Sequence, residues 1–371
     1  MSIDVFAEHF SDVTDPRQSA KVTYPLYDVL FLAICGVITG CEGWEDIEDF
    51  GRARLHWFQG LGLFKAGLPV HDTIARIISS IDPKQLQSSF ISWMQKVHTV
   101  TDGEIVAIDG KTLRSSYNRE DRQSAIHMVS AFATANGVVM GQIKTETKSN
   151  EISAIPELLR LLDIKGCLIT IDAMGCQKEI ANTIVNKGAD YLLAVKGNQK
   201  KLCDALKLAF SSIDSESLQI ETGHGRIEAR EYHVLDASEL EEAFPQWTGL
   251  KSIGMAVRYQ HDNEKPSLEY RYYISSADLS TEEFSKAVRG HWGIEASLHW
   301  VLDTAMKEDD CQIFRGNGAE NLARLRHIAK NMIKADRSRK ASVRRKQRMA
   351  LMEESYLETV FLAGCNQMVK N

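Results

Sequence analysis

Two apolar runs each end in an aspartate followed by a small residue: Ile105-Val106-Ala107-Ile108-Asp109-Gly110 and Cys167-Leu168-Ile169-Thr170-Ile171-Asp172-Ala173. A third carboxylate, Glu295, stands far downstream in His291-Trp292-Gly293-Ile294-Glu295. Unbroken β-forming apolar residues predict strands buried on both faces, as in the middle of a sheet covered by helices. A carboxylate at the end of such a strand lies at the carboxyl edge of the sheet, where open α/β folds keep their ligands. Mg²⁺ takes hard oxygen ligands and retains waters, so a few carboxylates and the substrate's phosphates suffice to hold it. Two such ions about 3.5–4 Å apart clamp the attacking and leaving oxygens of an in-line phosphoryl displacement. The chemistry indicated is phosphodiester cleavage with two Mg²⁺ ions, for which Mn²⁺ can substitute.

Simpler readings compete with this one. An Asp after a strand is often a turn former or a helix N-cap. Glu295 stands among apolar neighbours, and burial without a partner would be costly for it. His291, Glu295 and His299 recur every four residues on one helical face, which could also hold Zn²⁺, although the H-E-x-x-H signature is absent. Lys111 and Arg114 follow Asp109-Gly110, and Lys196 ends another apolar run in Val195-Lys196-Gly197-Asn198-Gln199. Cations at strand ends can meet the same phosphate as the metal carboxylates. His224, Arg226, Glu228 and Arg230 alternate in strand fashion, so one face carries all four; it suits either DNA contact or a cross-strand ion-pair network.

The elements that must position these residues follow from periodicity. Residues 1–98 have apolar positions at three- and four-residue intervals and read as a small helical domain, punctuated by Pro16, Pro69 and Pro83. From residue 99 the pattern becomes strands alternating with helices. A strand at Ile105–Ile108 precedes a hairpin turning at Asn136-Gly137, then helix, strand, helix, strand. Three antiparallel strands followed by helix, strand, helix, strand give an α/β ribonuclease-H-like mixed sheet flanked by helices. A β-rich insertion at about 211–276 interrupts it before the helix bearing Glu295, so the catalytic unit runs over 99–340. Residues 341–371 read as a basic helical tail.

At 371 residues, 44% hydrophobic and 25% charged, the chain has the composition of an ordinary globular protein. The net charge of −6 is unevenly spread: Arg324 to Arg348 holds eleven Lys and Arg residues with Asp336 as its only acid, the makeup of a phosphate-binding face. Seven cysteines without a C-x-x-C pair argue against a disulfide framework or structural zinc and for a reducing cytoplasm. The longest uncharged stretch, Val29 to Cys41, is too short to span a bilayer and suits a buried helix, so no membrane partner is expected.

Five motifs in order carry a family resemblance: Ala107-Ile108-Asp109-Gly110-Lys111-Thr112-Leu113-Arg114, Asp172-Ala173-Met174-Gly175-Cys176-Gln177, Ala194 to Gln199, His224 to Glu228, and His291 to Glu295. Together with Trp44-Glu45-Asp46-Ile47 and Pro69-Val70-His71-Asp72-Thr73, the chain resembles the H-repeat-associated insertion-sequence transposases over nearly its whole length. The resemblance implies a DDE transposase with Asp109, Asp172 and Glu295 as its metal-binding triad. It also implies double-stranded DNA partners, both element ends and target. Synapsis of two ends implies a homodimer on DNA. In the wider class an arginine stands four residues before the Glu, a tyrosine three before that, and a lysine seven after it. Here those places hold His291, Val288 and Leu302, which leaves His291, Arg289 and Lys307 as candidates for positioning phosphate; Ala296 stands where relatives often have Asn. A metal-dependent nuclease without joining activity, or a decayed DNA-binding relative, are the alternatives.

Overall fold

The computed structural model describes residues 4–116, 125–145, 150–211, 213, 219–223, 226–261 and 266–366. Six helices come first: α1 (Asp4–Phe10), α2 (Leu26–Thr39), α3 (Trp44–Ala53), α4 (Leu55–Gly60), α5 (His71–Ser80) and α6 (Pro83–Val97). The core begins with β1 (Ile105–Thr112), β2 (His127–Ala133) and β3 (Val138–Thr145). It continues through α7 (Glu151–Leu161), β4 (Leu168–Ile171), α8 (Lys178–Asn186), β5 (Asp190–Val195) and α9 (Lys200–Ala209). The insertion holds β6 (Gln219–Gly223), β7 (Arg226–Asp236), α10 (Ser238–Ala243), β8 (Ser252–His261) and β9 (Pro266–Ser275). After it come α11 (Thr281–Ile294), a π turn at Glu295–His299, α12 (Trp300–Thr304), α13 (Gly318–Ala335), α14 (Val343–Met352) and α15 (Glu354–Cys365).

These strands form one sheet in the order β3-β2-β1-β4-β5-β9-β8-β7-β6. β1 pairs antiparallel with β2 and parallel with β4, and β4 pairs parallel with β5. The five core strands therefore have the ribonuclease-H-like order that the sequence predicts, with helices on both faces. The insertion extends the same sheet, because β9 pairs antiparallel with β5, from Leu192 opposite Ser275 to Val195 opposite Tyr272. It is also docked from above: Phe284 of α11 lies against β8 so closely that a Cβ at Gly254 would overlap its ring.

Alternation along the strands decides which side chains face which helix. Leu168 belongs to the apolar cluster containing Phe284, Ala287 and Val288 of α11, and Thr170 touches His291 of the same helix. Ile171 faces the other way, toward Ile155 of α7. Since Ile105 is opposite Leu168 and Ala107 opposite Thr170, the parity that carries Thr170 toward α11 carries Asp109 and Asp172 there as well.

α13 is the axle of the helical region. It packs on α2, α5, α6, α15 and β3, and its Asn331 bonds both the amide (2.9 Å) and the carbonyl (2.8 Å) of Val139, satisfying the edge strand β3. Two readings of the C-terminal region are corrected here. Arg324, Arg326, Lys330 and Lys346 do not belong to a phosphate-binding face; all are buried. Arg324 pairs with Glu320, Arg326 donates to the Glu42 carbonyl, Lys330 to the Gly137 carbonyl beneath the Phe132 ring, and Lys346 meets Asp336. Nor do residues 341–366 hang free as a tail. Tyr356, Leu357, Val360 and Phe361, spaced as one helical face, are buried against the N-terminal helices. Lys334, Arg337, Arg339 and Lys340 remain exposed around a cavity of about 490 Å³. All seven cysteines are free. Among the described residues no single helix is long and apolar enough to cross a membrane.

Candidate active site

Asp109 and Asp172 stand one residue beyond a register pair, Ile108 opposite Ile171 on adjacent parallel strands, so the sheet itself sets them side by side. Beyond that level β1 runs on to Thr112, paired only with β2, while β4 turns away. Asp172 stays half-buried, and its Oδ1 accepts the amides of Met174 (3.0 Å) and Gly175 (3.2 Å), so it shapes its own turn as well as edging the site. The Lys196-Gly197-Asn198-Gln199 segment braces that turn: Asn198 donates to the Ala173 carbonyl (2.7 Å) and Gln199 to the Cys176 carbonyl (2.9 Å).

Glu295 arrives from the opposite direction. Ser280 and Glu283 form a capping box that starts α11, and Phe284, Ala287 and Val288 anchor the helix to the sheet. At Glu295 the helix widens into a π turn in which the Trp300 amide bonds the Glu295 carbonyl, a form found mostly as single-turn bulges and often at functional sites. The Glu295 side chain is 58% exposed. The expectation of a carboxylate embedded among apolar neighbours is thus corrected: Ile294 and Leu298 are buried, but Trp292 and Glu295 face outward.

The ligand atoms of Asp109, Glu295 and His299 all lie within 4.8 Å of one another. His299 is buried, with Nδ1 3.4 Å from Glu295 Oε2 and 3.6 Å from Asp109 Oδ2. Burial pushes the Asp109 carboxyl up to about 7, and the negative charges of Glu295, Asp172 and Glu151 add to it against one backbone hydrogen bond. Carboxylates so crowded call for a cation that the protein does not itself insert between them, and the mixed oxygen and nitrogen donor set fits a divalent ion. Burial lowers the pKa of His299 and His291 despite the acids nearby. His291 Nδ1 is hydrogen-bonded to Thr170 Oγ1 (3.1 Å) and ties α11 to β4 beside Asp172.

Gly110 backs Asp109 on the opposite face. A Cβ there would overlap the His127 and Glu151 side chains, a buried pair in direct contact, and Thr112 Oγ1 bonds the other ring nitrogen of His127 (2.8 Å).

The cations take several positions. Lys111 is enclosed by Asp303 (2.7 Å), Asp309 (2.8 Å) and Glu308 (3.1 Å). Burial opposes its charge, yet Glu308, Asp303 and Asp309 outweigh burial and hold its pKa above the usual lysine value. It fastens the segment following α12 to β1. Arg114 is 82% exposed, 3.3 Å from Asp309, and Lys196 is exposed at the end of β5. His224 and the side chain of Arg226 lie outside the described residues. Arg230, opposite Arg258 on β8, joins Arg258, Arg271 and Arg289 around a cavity of about 300 Å³ beside Trp292, over which Arg271 lies at 4.4 Å. Only Arg230 and Arg289 of this group are singled out by the sequence; the cavity depends on pairing among three strands and a helix from distant segments.

Residues 7–94 match the family model described as DDE_Tnp_1-associated, and residues 95–332 match the model of the transposase DDE domain. The chain is 49% identical to "H repeat-associated putative transposase YhhI" of Escherichia coli (strain K12), over 98% of this chain and 99% of that one. It is 48% identical to "Putative transposase YncI" of Escherichia coli O157:H7, over 99% and 97%. A solved piggyBac transposase synaptic complex with hairpin DNA is 12% identical with a TM-score of 0.45, covering 95% of this chain and 77% of that one. By sequence over its full length and by a match to the DDE domain across its sheet and α11, this chain belongs to the H-repeat-associated transposases.

Proposed function

We propose that this protein cuts DNA at the ends of an insertion sequence and joins the freed 3′-hydroxyl to target DNA, with Asp109, Asp172 and Glu295 as its metal-binding triad. The observation that carries the reading is the register pair Ile108 and Ile171, which sets the two aspartates level on the α11 face. Bound divalent ions supply the charge that activates the attacking oxygen and stabilises the leaving one. The residues of the chain hold those ions in place and position the strand. Exposed Arg114 and Lys196 flank the carboxylates, and the arginine-lined cavity beside Trp292 opens on the helix that carries Glu295. Guanidinium groups and an exposed indole suit phosphates and an unstacked base. His291, bonded to Thr170, ties α11 to β4 beside Asp172. Two copies on paired element ends, acting in the cytoplasm, complete the proposal.

The test uses DNA flanking the reading frame. Asp109→Asn, Asp172→Asn and Glu295→Gln each abolish Mg²⁺-dependent end cleavage, and cleavage retained by any of them overturns the triad. A pre-cleaved end separates transposase from nuclease, because only a transposase yields joined product.

A further inference from the structure

We propose that His299 is a ligand of the cation shared by Asp109 and Glu295, and that this nitrogen makes the site prefer Mn²⁺ over Mg²⁺. The inference rests on the triad reading and extends it to a residue outside the triad.

The distances carry it. A hydrogen bond between an imidazole and a carboxylate usually closes to about 2.7–2.9 Å, yet Nδ1 of His299 makes only a long one to Glu295, at 3.4 Å, and stands 3.6 Å from Asp109. Donor atoms around one divalent ion with bonds of about 2.1 Å stand about 3.0–3.4 Å apart at octahedral or tetrahedral angles. The gap is therefore wide for a hydrogen bond and close to the spacing that a bound ion sets. The rest of the residue's surroundings do not account for its placement. His299 is 6% exposed, and its Nε2 has no hydrogen-bond partner among the described residues. Among the described residues, its ion pairs are with the two carboxylates of the site. His291, the other imidazole nearby, has its Nδ1 engaged by Thr170. The π turn begins at Glu295 and ends at His299, so one local distortion of the helix places both donors. Imidazole favours Mn²⁺ and later transition ions over Mg²⁺, which prefers oxygen and gives up its waters reluctantly.

The test binds MnCl₂ to the full chain without DNA. Electron spin-echo spectra of the bound Mn²⁺ should show coupling to a directly ligated ¹⁴N, altered when the histidines carry ¹⁵N. His299→Gln should remove the coupling and weaken Mn²⁺ binding at least tenfold while moving Mg²⁺ binding less than threefold. Bound Mn²⁺ with no nitrogen coupling in the parent protein overturns the proposal without any variant, and so does coupling that survives in His299→Gln. Asp109→Asn separates the two levels of the argument. If it still binds Mn²⁺ with the parent spectrum, the triad reading fails; if it loses the ion while His299→Gln does not change it, only the role of His299 fails.

Discussion

Two of the imidazole–carboxylate pairs among the described residues lie on opposite faces of β1. His127 and Glu151 lie behind Gly110, buried and in direct contact, with the second ring nitrogen bonded to Thr112. His299 and Glu295 lie in front of Asp109, 3.4 Å apart, with the carboxylate open to solvent and a second carboxylate within 3.6 Å of the ring. The same two functional groups are in close contact in one place and joined only by a long hydrogen bond in the other. The closed pair leaves no room for a further ligand and acts as a wedge that fixes the backbone of β1. The open pair has only a 3.4 Å hydrogen bond of its own, and the capping box, the apolar face of α11 and the π turn set its position. Contact distance and exposure distinguish a brace from a site better than residue type does.

Four experiments press on that contrast. The largest effect is expected in the open pair: Glu295→Gln should lower end cleavage by about 10³-fold or more with little change in Tm, whereas Glu151→Gln should lower Tm by several degrees and leave Mn²⁺ affinity within about threefold. A reversal of the two patterns would erase the distinction. Gly110→Ala, which drives a methyl group into the closed pair, should cost about 3 kcal/mol in denaturant unfolding; a neutral result would mean that the pair yields easily and is no wedge. The third experiment uses pH. Asp109 has its pKa raised from 3.8 to about 7, so between those values the folded chain holds a proton that the unfolded chain has released. Stability must then fall as pH rises through this window. Asp109→Asn removes that slope: without metal it should be about 2 kcal/mol more stable than the parent at pH 8, with the difference vanishing below pH 4. A less stable variant at pH 8 would show that the carboxylates are not in conflict. The smallest effect belongs to the brace on the other aspartate: Asn198→Ala should cost about 1 kcal/mol by freeing the Ala173 carbonyl, read as faster amide exchange at residues 173–176.

Much of this was legible in the sequence because it is local. Uninterrupted apolar runs identify central strands, Asn136-Gly137 marks a hairpin, and a period of two determines which face of the sheet each aspartate takes. The places of the two aspartates and the strand order follow from such patterns, whereas Glu295 as their partner is implied by the family resemblance. What escaped depends on partners distant in the chain. Lys111 is enclosed by acids at 303, 308 and 309, on a segment that the sequence does not connect to β1. The cations of α13 read as a surface face because charged residues are seldom fully buried; here backbone carbonyls, Glu320 and the Phe132 ring receive them inside. The four-residue spacing of Glu295 and His299 is visible, but its meaning depends on Asp109 approaching from nearly 200 residues away.

The first and last described helices share one aromatic cluster, in which Phe6 and Phe31 meet Phe361 with ring centres 5.5 and 5.0 Å apart, and Trp93 donates to the Gly364 carbonyl. A ribosome must therefore complete α15 before the N-terminal helices can be covered. A chain stopped by a nonsense codon after Glu295 retains all three carboxylates of the proposed triad but exposes these rings, so it meets proteases and chaperones before it meets DNA. Loss of the last few dozen codons is thus expected to silence the protein as fully as loss of an aspartate, through its lifetime in the cell instead of its chemistry.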